Sequence, residues 1–313
     1  MRQKNILIML TLTLLTAVFV LTGVLVHLYR NVYYIPERAV TDLCAALEAD
    51  GVILSPSMVA RKREDGMIYM GSDNNEDTAK RLADSEIRNT FVIPDGTLYL
   101  HYSGDQTEFL SDFRFRYRRA DAPSRLNADF SYAALVKDAS SAVADTDYES
   151  YAKIARAFLE RGDGGLSRKR GGPSIETVVA DIRCDTAGAV YVRCLRRIDG
   201  VEITENDMIC VIEDGVVTEA DGKWCFLTFG ESYSTQVSDI TNILYMMKRI
   251  VSSGGSGMPE RIEIQAVSHC YSLYFLPDED SFCLIPCIRV ETDTYGTLVF
   301  SQLDGTLYTR IDA

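Results

Sequence analysis

The sequence predicts an α+β protein, with one N-terminal transmembrane helix followed by helix-on-antiparallel-sheet modules. Three observations predict this. An unbroken apolar run opens the chain, three later stretches carry the i, i+3, i+4, i+7 spacing of a helix with one buried face, and short alternating apolar segments bounded by Asp-Gly pairs fill most of the rest.

The opening run, Ile6 to Val26, holds no charged residue and lies between Arg2 and Lys4 before it and His27 and Arg30 after it. As a helix rising ~1.5 Å per residue it reaches about 31 Å, against roughly 30 Å of hydrocarbon in a bilayer. A helix bonds its own backbone groups and so can sit in lipid. A cleaved signal peptide would have a shorter apolar region ending in a small-x-small site. Here the run continues through Val24, Leu25 and Val26 with no such site and no lipobox cysteine. Basic residues before the span favour a cytoplasmic N-terminus. The expected location is therefore a cell membrane, single-pass, with the C-terminal domains extracytoplasmic; that the cell is bacterial is implied only by the resemblance given below. The expected organisation is a cytoplasmic tip and anchor over 1–30, a first α+β domain over 31–130, and a second region over 131–313 with two helix-on-sheet units.

Net charge is −13, and the anchor holds three of the 32 basic residues and no acidic one, so the remainder is more negative still. Nucleic-acid binding needs clustered Lys and Arg to displace counterions, and this balance argues against it. Eight cysteines in an exported domain would ordinarily suggest disulfides. Most, however, sit inside apolar runs such as Met208-Ile209-Cys210-Val211-Ile212 and Trp224-Cys225-Phe226, where a free thiol serves as a small hydrophobe.

After the anchor, Val40, Leu43, Cys44 and Leu47 mark a helix ending before Asp50-Gly51, followed by strands at Val52–Leu54 and Met67–Met70. A short helix is expected from Asp77 to Ala83. Strands over Phe91–Ile93 and Thr97–Tyr102 bracket the turn Pro94-Asp95-Gly96, and Phe113–Arg118 alternates strictly. The next helix presents Tyr148, Tyr151, Ala152, Ala155, Phe158 and Leu159, with capping-box spacing at Thr146 and Glu149. Strands follow over Val178–Arg183, Val190–Arg196, Met208–Glu213 and Trp224–Phe229, with connections at Asp199-Gly200, Asp214-Gly215 and Asp221-Gly222. A helix on Val237, Ile240, Leu244, Met247 and Val251 precedes three or four closing strands broken at Gly296 and Asp304-Gly305.

The run Asp199-Gly200-Val201-Glu202-Ile203, then Val211 to Val217, then Gly222-Lys223-Trp224, resembles the turn-and-strand progression of YycH/YycI-type proteins. Leu284 to Thr292 with Pro286, then Gly296 and Leu303-Asp304-Gly305-Thr306-Leu307, is similar to their final hairpin and to PepSY-like modules, although Cys287-Ile288 replaces the usual residues after the proline. The resemblance implies a PepSY-like/YycI-like fold in which Gly200, Asp214, Gly215, Trp224, Pro286, Asp304 and Gly305 are structural. It implies a non-enzymatic membrane-anchored extracytoplasmic regulator of a WalK/YycG-like sensor histidine kinase in a Gram-positive two-component system, with a paralogous regulator as a further partner. The alternative is a PepSY-type envelope module that inhibits or escorts an exported protease or other enzyme.

No residue set supports catalysis, a metal or a cofactor. Gly254–Met258 lacks the second framing glycine of a nucleophile elbow. His269-Cys270 lies in an alternating strand, and Cys283 with Cys287 would share a metal only if the strand broke near Pro286. Asp73 to Asp77 lacks the glycine and final glutamate of a calcium loop and reads as a capped turn. Arg114, Arg116, Arg118 and Arg119 form a basic stripe that pairs with neighbouring acidic strands or meets an acidic partner. In the anchor, Thr13, Thr16, Ala17 and Gly23 share one broad face, where small residues would let a partner's transmembrane helix approach. The other expectation for these threonines is that they bond their own i−4 carbonyls.

Overall fold

The computed structural model describes residues 2–62, 66–72, 74–128, 130–135, 145–164, 173–226, 228–253, 261–276 and 281–311. In chain order the elements are α1 (Arg2–Tyr33), α2 (Glu37–Glu48), β1 (Val52–Ile53), β2 (Gly66–Ser72), α3 (Asn75–Ala83), β3 (Ile87–Ile93), β4 (Gly96–His101), β5 (Gln106–Leu110), β6 (Arg114–Arg118), α4 (Asp145–Gly162), β7 (Ile175–Cys184), β8 (Val190–Ile198), β9 (Val201–Glu213), β10 (Val216–Lys223), β11 (Thr228–Thr235), α5 (Ile240–Ser253), β12 (Ile262–Leu276), β13 (Ser281–Thr292), β14 (Gly296–Ser301) and β15 (Leu307–Ile311).

Two expectations are corrected. Among the described residues no helix is long and apolar enough to cross a membrane. The single-pass transmembrane anchor, and the membrane location and topology that followed from it, are therefore not supported. The fold class also changes, because strands dominate and their pairing is mixed rather than antiparallel. Val52 pairs with Ile262 and Cys270 with Glu202 in parallel ladders. These residues are far apart in the chain, so no local pattern announces the pairing.

The chain divides into two compact units. One comprises Met1–Gly66, Ser234–Ser268 and Pro286–Ala313, the other Met67–Tyr233 and His269–Ile285. In the first, Val40, Leu43 and Leu47 of α2 share a core with Ile240, Ile243, Leu244 and Met247 of α5, and with Ile288, Val290, Leu298 and Phe300 from the strands. The periodicity expected of both helices is what buries these positions, and Asp239 caps α5 by accepting from the backbone N–H groups of Thr241 and Asn242.

In the second unit, β3, β4, β5, β6, β10, β9, β8 and β7 pair antiparallel in that order. One face of this ladder, carrying Tyr99, Phe109, Phe115 and Tyr117, packs with Leu82 of α3 and with Ala155, Phe158 and Leu159 of α4. α3 starts where Asn74 Oδ1 accepts from the Asp77 N–H at 3.1 Å and ends at Asp84 in the left-handed region. The acidic turn before α3 is thus a helix cap, as far as it is described, since Asp73 lies outside the described residues.

Candidate functional site

The strict alternation of β6 decides which side chains face which way. Phe115 and Tyr117 enter the core, leaving Arg114, Arg116 and Arg118 on the other face. Arg116 is directly opposite Asp221 on β10 and Glu108 on β5. Its Nε donates to Asp221 at 2.9 Å and its Nη1 lies 3.7 Å from Glu108. Arg118 donates to Gln106 at 3.1 Å. Arg114 and Arg116 of the stripe therefore meet acidic neighbours within their own sheet, while Arg118 meets a glutamine.

Between β5 and β6 the chain turns through Ser111-Asp112-Phe113. Asp112 (φ 55°) and Phe113 (φ 59°) both occupy the left-handed region without being glycine. An aromatic residue there is an outlier whose strain the surroundings must hold, of the order of 1–3 kcal/mol per residue. Two contacts hold it. The Trp224 N–H donates to the Phe113 carbonyl at 2.8 Å, and the Phe113 ring meets Phe282 edge-on at 6.3 Å. This turn and the segment Trp224-Cys225-Phe226 form the walls of a cleft of about 370 Å³, which also includes Phe109 and Leu110, with Asn75 and Arg114 lining it.

Behind Trp224 lies a buried ion pair. Arg196 Nη2 is 2.7 Å from Asp163, with both side chains sealed from solvent. Arg196 also donates to the Cys225 carbonyl and stands 5.4 Å over the Trp224 ring. Asn206 accepts from the Cys225 N–H at 3.0 Å. Burial pushes the Asp163 carboxyl above its ordinary range, and the guanidinium of Arg196 opposes that rise. The segment beside the cleft is thus clamped at Cys225 by two side chains from β8 and β9.

At the far end of the ladder, β3 hydrogen-bonds to β4 alone among the described residues. Its five central residues, Arg88 to Val92, are all exposed, Val92 to 90 % and Phe91 to 46 %. Natural edges are usually shielded by charge, proline or a covering element. Here the exposed row of backbone groups carries one charged side chain, Arg88.

The residues singled out from sequence are scattered. Thr13, Thr16, Ala17 and Gly23 are exposed on α1, and a Cβ added at Gly23 would meet nothing within 4 Å. Thr22 bonds its own i−4 carbonyl, that of Val18, at 2.8 Å. Asp199-Gly200 and Asp214-Gly215 form two-residue hairpin turns, all four residues in the left-handed region. Asp304 accepts from the Thr306 N–H and hydroxyl, which holds its carboxyl below the usual range, and Gly305 (φ 75°) completes that turn. Pro286 lies inside β13, which runs through it unbroken, so the strand does not bend Cys283 and Cys287 towards a shared site. Both of these thiols are buried, none of the eight cysteines forms a disulfide, and seven are buried. His269 and Cys270 are successive residues of β12 and so point to opposite faces. The glycine-rich stretch 254–258 lies outside the described residues.

Of the residues singled out from sequence, the cleft takes in Asn75, Arg114 and Trp224. Asp112 and Phe113 went unnoticed because the turn contains no Gly or Asn to advertise a positive φ. Arg196 did leave a signal, since it falls in phase with the buried positions Val192, Cys194 and Ile198 of β8.

No family model matches this chain, and no curated protein matches it. Among solved structures, an uncharacterized protein from Eubacterium rectale ATCC 33656 is similar at 12% identity, with a TM-score of 0.44, over 81% of this chain and 88% of that one.

Proposed function

We propose that this chain is a regulator that acts by binding another protein, taking an extended segment of that partner onto the open edge of β3. The observation that carries the reading is the edge itself. Over Arg88–Val92 every residue is exposed, and among the described residues the strand's outer backbone donors and acceptors meet no other strand, beside the apolar Phe91 and Val92. Strand addition of this kind draws affinity from main-chain hydrogen bonds and selectivity from the side chains that alternate along the added strand. The resemblance to YycH/YycI-type regulators supports a sensor histidine kinase as the partner class.

The test is co-purification of the full chain with the WalK-like sensor kinase of the same cell. The wild type is expected to retain the kinase. The double variant Phe91→Lys, Val92→Lys, which places charge on the edge, is expected to lose it. Tyr102→Lys, on an equally exposed position outside β3, should not matter. Equal retention by all three chains would remove the edge from the interaction. Recovery of an exported protease in place of the kinase, with the same dependence on β3, would keep the binding mode and change the partner.

A further inference from the structure

We propose that the segment received by β3 is an extended, non-acidic stretch of a partner protein with an apolar side chain at every second position, selected by an apolar patch on one face of the sheet beside that edge. The inference rests on strand addition at β3 and names the chemistry of what is added.

The register assigns each side chain near the edge to a face. Thr90 lies opposite Tyr99, and Val92 opposite Thr97, which in turn lies opposite Phe109. These residues share the face whose rings pack with α3 and α4. Phe91 lies opposite Leu98, Ile93 opposite Gly96 and Asn89 opposite Leu100, all on the other face. Gly96 pairs onward with Leu110 of β5, so Phe91, Ile93, Leu98, Leu100 and Leu110 form one apolar group there. Phe91 is exposed and the other four are half-buried.

An antiparallel sheet with one face on the core normally carries polar residues on the other. β5 and β6 obey this, with Gln106 opposite Arg118 and Glu108 opposite Arg116. β3 and β4 break it where the ladder ends. Contiguous apolar surface rimmed by polar residues marks a site of association. A strand added at β3 would bring its side chains to about 5 Å from Phe91 and Ile93, measured between Cβ atoms. On the opposite face it would meet Thr90 and Val92, one polar and one apolar, so that face selects weakly. The edge thus distinguishes a segment with one apolar face. The net charge of −13 favours a neutral or basic segment and opposes edge-to-edge pairing of two copies of this chain.

The probes are two fluorescein-labelled octapeptides of one composition, Lys-Thr-Val-Thr-Val-Thr-Val-Lys and Lys-Thr-Thr-Thr-Val-Val-Val-Lys, titrated with the full chain and followed by anisotropy. The alternating peptide is expected to bind saturably and roughly tenfold more tightly than the blocked one, because it turns three valines rather than two to the patch. Phe91→Thr with Ile93→Thr retains strand-forming residues and the backbone edge, and should erase that preference. Val92→Thr, on the opposite face, should keep it. Equal affinity for the two peptides, each lost in Phe91→Lys, Val92→Lys, would overturn this inference and leave strand addition standing. Binding of neither peptide would remove both. A dimer of the free chain that Phe91→Lys disperses would assign the edge to a second copy and overturn the inference as well.

Discussion

Arg196 and Asp163 form an ion pair with 2.7 Å between nitrogen and oxygen, and neither side chain reaches solvent. The pair is a linchpin of the second unit, because Arg196 lies on β8 while Asp163 follows α4, so it fastens the helix to the sheet. Removing one partner strands the other. We expect Asp163→Ala to cost about 3–5 kcal/mol, and the paired replacement Arg196→Met, Asp163→Leu to cost far less, since it removes both charges and keeps their volume. Urea titration of the two variants measures the difference.

His101 supplies a pH dependence. Its side chain is buried, with Nδ1 3.1 Å from the Ser85 carbonyl and Nε2 3.0 Å from the Thr107 hydroxyl. The carbonyl only accepts, so Nδ1 carries the proton and Nε2 accepts from Thr107, which is the neutral ring. Burial holds the imidazole below its ordinary value. The unfolded chain therefore binds this proton more readily than the folded one, and stability is lost as pH falls from about 6.5. We expect the denaturation midpoint to decline between neutral pH and mildly acid pH, and the decline to shrink in His101→Phe.

The glycines separate backbone conformation from crowding. Gly200 has φ 81°, and a Cβ there would meet nothing within 4 Å, whereas a Cβ at Gly222 would sit 2.2 Å from the carbonyl oxygen of Asp207 on the neighbouring strand. Gly200→Ala should cost about 1 kcal/mol for the left-handed backbone. Gly222→Ala should cost about 3 kcal/mol or more, because β10 must move away from β9. Thermal melts of the two variants test the order.

That contrast also shows how far the fold could be read from sequence. Asp199-Gly200 and Asp214-Gly215 were legible as turns because both residues of each pair need positive φ. Asp221-Gly222 looks identical in sequence, yet it continues β10, its glycine serving the close approach to Asp207. The expected strand over Trp224–Phe229 is met only at its end, where β11 begins at Thr228; β10 stops at Lys223, and Trp224 to Phe226 leave the sheet to line the cleft. Helix faces such as Val40, Leu43 and Leu47 were visible through their period. The parallel pairings of Cys270 with Glu202 and Val52 with Ile262 were not, because a ladder between remote segments has no local signature. Of the candidate site, sequence offered the apolar Trp224 segment and, in the phase of β8, a hint of buried Arg196. The strained Phe113 depends on contacts that only folding creates.

The last expectation concerns the segment from Arg119 to Leu135. It crosses the outer face of β8 and β9, where Leu126, Phe130, Tyr132 and Leu135 pack on Ala189, Tyr191 and Val211. Glu219, buried on β10, accepts from the backbone N–H of Arg125 at 2.7 Å and of Leu126 at 3.0 Å. The Arg125 guanidinium in turn donates to Asp185 at 2.9 Å and to Glu213. The carboxylate is therefore a staple for a segment with little regular structure of its own, and charge-assisted bonds of this kind are worth about twice a neutral one. Glu219→Ala leaves two backbone donors without their acceptor, and we expect a cost of about 2–3 kcal/mol. The segment should also open locally before the unit unfolds. Trypsin reads this directly. Cleavage after Arg125 should be slow in the wild type and at least tenfold faster in Glu219→Ala under native conditions, with Glu219→Gln between them because it restores one acceptor. Equal cleavage rates in all three would show that the apolar packing alone holds the segment down.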